Sequence, residues 1–121
     1  MSTKKRPRRK PPIDRDNARG LVELALAASR YFRHPEVEEI LGYQAAGHAV
    51  IDLDEVAGYV QDNVLSAEPE RPSKRDLAAV AKTLREGASL LEDPRVAAIS
   101  FALPSTAVAA RLREAARKIA R

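Results

Sequence analysis

Residues 73–91 read SKRDLAAVAKTLREGASLL and carry the most regular pattern of this 121-residue chain. Ser73 and Asp76 have the spacing of a capping pair, which predicts that a helix begins here. Apolar residues then recur every three or four positions along one helix face: Leu77, Val80, Ala81, Leu84, Ala88 and Leu91. The segment therefore predicts a long amphipathic helix that must be covered by other helices.

The chain beyond residue 91 predicts two further helices. Asp93-Pro94 suits the start of a short helix, because proline fits the first helical position, and this helix is expected to reach Phe101. Pro104 ends that segment, and Ser105 is expected to cap the last helix. The last helix has a regular apolar stripe of Val108, Leu112, Ala115 and Ile119. The second half of the chain thus predicts a long, a short and a medium helix.

The chain before residue 73 follows a similar order. Two prolines within residues 66–72 exclude a helix or a central strand, so this segment is interpreted as a linker. Upstream, a long helix is predicted to end at about Arg33, with three candidate N-caps, Asp14, Asp16 and Asn17. Pro35 then begins a short helix with the apolar residues Val37, Ile40 and Leu41.

The third predicted helix has the least distinct start. Gly42 and Gly47 are interpreted as the marks of a loop that also contains Ala49-Val50-Ile51. Asp52 and Glu55 have the separation of a capping box, which predicts that the helix begins after the loop.

These patterns predict an all-α fold, a compact bundle of five or six short helices. We expect a disordered basic arm over residues 1–13 and a single helical domain over residues 14–121. An alternative divides the domain into degenerate three-helix halves, residues 14–65 and 73–121, because Pro-x-Val-x-x-Ile occurs twice at an offset of 59 positions. Identity elsewhere is negligible, so the simpler interpretation, a common way to begin a helix, is preferred.

The composition excludes several classes of protein. There is no cysteine, which excludes disulfides, cysteine-bound metals and thiol nucleophiles. Hydrophobic residues make up 45% of the chain, enough for a modest core. No apolar run approaches the roughly 18 residues of a membrane-spanning helix, and no signal peptide is recognised. We expect a cytoplasmic protein without membrane contact, associated with the nucleoid, or nuclear in a eukaryote.

The positive charge is concentrated at the start of the chain. The formal net charge is +4, but residues 1–13 alone hold six cations and no acid: Lys4, Lys5, Arg6, Arg8, Arg9 and Lys10. The remaining 15 basic residues stand against all 17 acidic ones, so residues 14–121 have a net charge of −2. Prolines within the arm favour an extended chain. Such an arm suits a phosphate backbone or a minor groove.

The last predicted helix offers a second basic surface. Arg113, Arg117 and Arg121 recur every four residues beside the apolar stripe, and Arg111 and Lys118 extend the surface. A helix-turn-helix arrangement over residues 96–117 would use this helix for recognition. However, a proline occupies the turn, and the helix lacks an Asn or Gln to read adenine. Phosphate contact is therefore favoured over base-specific contact.

The sequence predicts no catalytic residue, cofactor or metal site, so we do not expect an enzyme. The only imidazoles are His34 and His48, and no serine stands in a nucleophile-elbow sequence. The isolated glycines do not form a phosphate-binding loop. His48 and Asp52 have the spacing of a metal-binding pair, but helix capping and surface exposure account for them more simply.

The functional hypothesis is a small non-enzymatic nucleic-acid-binding protein, with duplex DNA preferred over RNA. Its core would assemble into a homo-oligomer or bind a protein partner, as in a transcription regulator, a nucleoid protein or a phage component. The alternative is a structural or adaptor protein whose core binds a protein partner, while the arm docks on an acidic surface or on RNA. The anchors of that alternative would be Tyr31, Phe32, Tyr43 and Tyr59.

Overall fold

The computed structural model describes residues 13–120, and this part of the chain contains six α-helices. They are α1 (Arg15–Phe32), α2 (Pro35–Leu41), α3 (Tyr43–Asn63), α4 (Lys74–Leu91), α5 (Pro94–Ala97) and α6 (Ser105–Ile119). No strand occurs in this part of the chain. The predicted all-α bundle is therefore confirmed.

Side-chain caps fix the starts of four helices. The Asp14 carboxylate accepts the backbone N–H of Asn17 at 3.0 Å, and the Asn17 side chain accepts the N–H of Asp14 at 2.9 Å. The Ser73 hydroxyl accepts the N–H of Asp76 at 3.1 Å. The short helices α2 and α5 each have proline at the first position, after the capping residues His34 and Asp93. The predicted starts of α1, α2, α4 and α5 are thus confirmed.

The interpretation of Ala49-Val50-Ile51 as a loop is wrong. α3 begins at Tyr43 and runs without interruption through Gly47, so Asp52 and Glu55 lie inside the helix and form no capping box. A glycine inside a helix costs about 1 kcal/mol relative to alanine. Here that cost is offset because Ala46, Ala49 and Leu53 lie at helical spacing and are buried.

Two predicted features around the second short helix are also wrong. α5 ends at Ala97 and does not reach Phe101, whose backbone N–H donates to the carbonyl of Ile99 in a turn. Ser105 does not cap α6; Pro104 occupies the N-cap position. The buried hydroxyl of Ser105 instead donates to the carbonyl of Leu91 at 2.9 Å. This carbonyl belongs to the last turn of α4, where backbone oxygens lack intrahelical partners.

The helices pack in a pattern that stays the same when the two halves of the chain are exchanged. α1 packs mainly on α3, and α4 packs mainly on α6. The two hairpins meet through α3 against α4 and through α1 against α6, while α2 contacts α5. Exchanging α1 with α4, α2 with α5 and α3 with α6 leaves this set of contacts unchanged. The bundle therefore has an internal two-fold arrangement of two three-helix halves.

The same offset of 59 positions relates the two halves throughout. α1 and α4 have equal length, and their capping residues Asp14 and Ser73 are 59 positions apart. Core residues follow the same offset: Phe32 and Leu91, Val37 and Val96, Leu53 and Leu112, Ala57 and Ala116, Val60 and Ile119. α3 begins one turn before Ala46, the position equivalent to Ser105. Burial is thus repeated far beyond the three identical residues of the Pro-x-Val-x-x-Ile pattern.

Candidate polyanion-binding surface

The two halves of the bundle carry opposite net charges. Residues 14–65 hold ten acidic and four basic residues, a net charge of −6. Residues 73–120 hold five acidic and nine basic residues, a net charge of +4. The contrast is sharpest between two helices at equivalent places in the fold: α3 has four acidic residues and no Lys or Arg, whereas α6 has four basic residues and one acidic residue. The first half of the bundle is therefore negative and the second half positive.

Many equivalent surface positions carry charges of reversed sign. Within residues 13–120, eight pairs at the offset of 59 have a charge on both members, and the sign is reversed in six of them. Those six pairs are Asp16 and Arg75, Glu23 and Lys82, Arg33 and Glu92, Glu36 and Arg95, Asp52 and Arg111, Asp54 and Arg113. The repeat keeps the core alike and makes the surfaces of the two halves electrostatically different.

One ion pair occurs in both halves with its polarity exchanged. In the first half, Arg33 donates to Asp54 at 2.8 Å and joins the end of α1 to α3. In the second half, Arg113 of α6 donates to Glu92 at 2.5 and 2.9 Å, at the end of α4. The hydrogen bonds from Arg113 hold the pKa of the Glu92 carboxyl below its usual value. The arginine thus follows the end of α1 in the first half and lies on α6 in the second.

Six cations lie on α6 and on α4, interspersed with Glu86, Glu92 and Glu114, which pair with four of them. Arg113 also donates to the hydroxyl of Ser89 at 3.0 Å, and Ser89 lies one turn from Arg85 along α4. Lys82 follows on the same edge. We use the term basic face for Lys82, Arg85, Arg111, Arg113, Arg117 and Lys118, all of which are exposed.

The basic face contains the two predicted residues that the structure describes, Arg113 and Arg117. Both already have partners, since Arg113 pairs with Glu92 and Arg117 with Glu114. The remaining predicted residues, Arg121 and the arm cations Lys4, Lys5, Arg6, Arg8, Arg9 and Lys10, lie outside the described residues. The two α4 cations, Lys82 and Arg85, were not predicted from the sequence. The charge difference between residues 14–65 and 73–120 would have identified their half as the basic one.

The chain enters the bundle beside α6. Ile13 is buried and lines a groove of about 390 Å³ between α1 and α6, together with Ile119 and other apolar residues. Arg111 and Lys118 line the same groove. The six arm cations lie three to nine positions before Ile13 in the sequence. The arm is therefore attached next to the most basic helix, although the helix that follows it belongs to the acidic half.

The equivalent crevice between α3 and α4 has a different lining. It encloses about 210 Å³ and is lined by His48, Asp52, Thr83 and Glu86 as well as apolar residues. Across residues 13–120, no group of three or more His, Asp or Glu side chains is arranged to hold a metal ion. Asp52 lines the crevice between α3 and α4, and Arg111, the residue 59 positions later, lines the groove between α1 and α6.

Only one of the four aromatic anchors of the adaptor hypothesis projects freely from the surface. Phe32 is fully buried, so its assignment as an anchor is wrong. The hydroxyl of Tyr31 donates to the carbonyl of Leu103, and that of Tyr59 donates to Asp76 at 3.1 Å. Tyr43 remains 78% exposed.

Comparison of the chain with protein-family models, curated proteins and solved structures found no match. Within the described residues, no helix combines the length and the apolar character that crossing a membrane requires.

Proposed function

We propose that the protein is a non-enzymatic nucleic-acid-binding protein that contacts duplex DNA through its basic arm and its basic face. Duplex RNA is the second choice of ligand. Contact is made with phosphates rather than with base edges. The protein acts at the nucleoid, or in the nucleus if its source is a eukaryote.

The proposal depends above all on the attachment of the arm beside α6. Because Ile13 lines the same groove as Arg111 and Lys118, the chain that carries the six arm cations is attached to the bundle next to the basic face. Together they present more positive charge than either could alone, and affinity for a polyanion rises with each phosphate that is neutralised.

The charge difference between the halves supports the same function. A polyanion attracts the half with net charge +4 and repels the half with net charge −6. The protein would therefore approach DNA in one orientation, with α6 toward the phosphates and α3 away from them. An evenly charged protein of the same size would have no such preference.

The direct test measures binding of the full-length chain to a fluorescent duplex across a salt series. We expect the affinity to fall with salt concentration with a log–log slope of about −4 to −6. A full-length variant with all six arm cations changed to Gln should lose most of this slope. Absence of binding by the unmodified chain at low salt would refute the proposal.

A second pair of variants tests the basic face itself. Arg85→Gln with Arg111→Gln removes two cations of the basic face that have no ion pair in the described structure. We expect this change to reduce the salt slope by about 2. Arg19→Gln with Arg30→Gln removes the same charge from exposed positions of α1 and should leave the slope unchanged. Equal losses in both variants would mean that net charge alone matters and that the basic face makes no contact.

A structural or adaptor function is the second candidate, and the groove between α1 and α6 favours it. The groove is lined mainly by apolar residues such as Leu21, Leu24 and Ile119, with Arg111 and Lys118 beside them. This lining suits an amphipathic helix that carries acidic residues at its edges. Leu24→Glu should abolish binding of such a partner and should leave the salt slope for DNA nearly unchanged.

A further inference from the structure

The outer surface of α3 carries glycines and exposed apolar side chains, whereas a surface that only contacts solvent needs neither. Tyr43, Gly47, Ile51, Asp54 and Gly58 follow one another at spacings of three or four residues and therefore lie on one stripe of the helix. Tyr43 and Ile51 are 78% and 55% exposed, and they are two of the three large hydrophobic side chains that are exposed within residues 13–120. Exposed apolar side chains grouped on one helix are typical of an interaction site.

The same stripe is acidic and has room for close approach. α3 carries only acidic charges on its surface, among them Glu55 and Asp62 beside the stripe. A Cβ atom added to Gly47 or Gly58 would meet no atom within 4 Å, so these glycines do not serve packing within the bundle. A partner helix for this stripe should be basic and should present small side chains beside its charges.

The equivalent stripe of α6 has that composition. The positions 59 residues after Gly47, Ile51, Asp54 and Gly58 are Thr106, Ala110, Arg113 and Arg117. Thr106, Ala110 and both arginines are exposed. Two small residues are thus followed by two arginines on α6, where α3 has Gly47 and Ile51 followed by Asp54 and Gly58.

We propose that copies of this chain associate head to tail, with the outer stripe of α3 in one copy against the outer stripe of α6 in the next. Contacts of α3 with α3, or of α6 with α6, would bring like charges together and are disfavoured. The favoured contact joins two different surfaces, so it leaves one α3 stripe and one α6 stripe free and can be extended by further copies. Because its charged groups are exposed, the association should be weak and sensitive to salt.

Sedimentation velocity of the full-length chain tests this proposal in the absence of nucleic acid, so the result does not depend on the proposed function. In 50 mM NaCl we expect a sedimentation coefficient that rises with protein concentration. In 500 mM NaCl the apparent dissociation constant should increase at least about tenfold. A monomer at every concentration in 50 mM NaCl would overturn the proposal.

Two variants, each altered on one helix, identify the contact. Glu55→Gln with Asp62→Asn removes two of the four acidic charges of α3, and Arg113→Gln with Arg117→Gln removes two of the four basic charges of α6. Each variant alone should remain monomeric, whereas an equimolar mixture should form a 1:1 dimer that does not grow, because one intact α3 then meets one intact α6. Formation of this dimer also shows that both variants are folded. A mixture that stays monomeric, or variants that associate like the unmodified chain, would contradict the proposal.

Two further variants separate the helix contact from the effects of net charge and of the arm. Glu38→Gln with Glu39→Gln removes the same acidic charge from α2 and should leave association unchanged. The variant with six arm cations changed to Gln asks whether the arm of another copy occupies the α3 stripe. If this change abolishes association while the α6 variant retains it, the arm is the ligand of α3 and the proposed helix contact is wrong.

Discussion

At the scale of single residues, the pairing of Tyr59 with Asp76 has a measurable effect at high pH. Burial of the Tyr59 ring, followed by its hydrogen bond to Asp76 and the charge of that carboxylate, raises the tyrosine pKa from 10.0 to about 12. A raised pKa means that the neutral phenol is favoured in the folded protein. This contribution to stability is complete below pH 10 and is lost as the pH rises through 12.

We therefore expect the phenolate absorbance of the unmodified chain, minus that of Tyr59→Phe, to rise with a midpoint near pH 12. Asp76→Asn should move this midpoint toward 10, because the carboxylate no longer opposes the negative phenolate. Tyr43→Phe serves as the control, since it removes an exposed tyrosine and should leave the Tyr59 step in place. A midpoint that does not respond to Asp76→Asn would show that the hydrogen bond has no part in the shift.

At the scale of elements, α3 shows where prediction from sequence failed. Caps and apolar spacing located α1, α2, α4 and α5, because each begins with a side chain that accepts a backbone N–H. α3 begins after Gly42 without any side-chain cap and contains Gly47. Its start is determined by the backbone of Gly42 and by packing against α1, neither of which leaves a local sequence pattern. Because the true start of α3 has no such pattern, the sequence predicted a capping box too late in the chain, at Asp52 and Glu55.

The two glycines at the start of α3 should respond to alanine in opposite ways. Gly47 is helical and its added Cβ would meet nothing within 4 Å, so Gly47→Ala should raise the free energy of unfolding by about 0.5–1 kcal/mol. Gly42 has φ +89°, a conformation that other residues rarely adopt, so Gly42→Ala should lower it by about 1–3 kcal/mol. Urea unfolding in 500 mM NaCl, where the proposed self-association would be suppressed, measures both changes. A stabilising Gly42→Ala would contradict the role of the Gly42 backbone in starting the helix.

At the scale of the whole molecule, the sequence predicted the fold class but offered the two similar halves only as the less preferred alternative. The repeat preserves which positions are buried while changing many of the residues there, as at Phe32 and Leu91 or Val60 and Ile119. The Pro-x-Val-x-x-Ile pattern and two further identical pairs in the core, Leu53 with Leu112 and Ala57 with Ala116, could not distinguish this repeat from a common way of beginning a helix. The arm cations were evident because they are consecutive in the sequence. The basic face was only partly evident, because its members come from two helices that meet only in the folded chain.

The two-fold arrangement predicts that the chain can be circularly permuted. Residues 61–72 connect Val60 of α3 to Ser73 at the start of α4. The equivalent pair, Ile119 of α6 and Asp14 at the start of α1, must be separated by a similar distance, and Ile13 and Ile119 do line one groove. A chain that begins at Ser73, continues through residue 121 and a nine-residue Gly/Ser linker to Ile13, and ends at Leu65 restores a connection of the same length. Because the new ends lie in an irregular segment between helices, every helix and every core contact is retained.

We expect this permutant to unfold cooperatively. Its thermal midpoint by circular dichroism should lie within a few degrees of that of the unpermuted chain of residues 13–121. A permutant opened between Ala57 and Gly58 interrupts α3 and should be strongly destabilised. If the permutant opened in the linker is equally unstable, the two connections are not equivalent and the bundle depends on its order of helices rather than on the repeated packing of its halves.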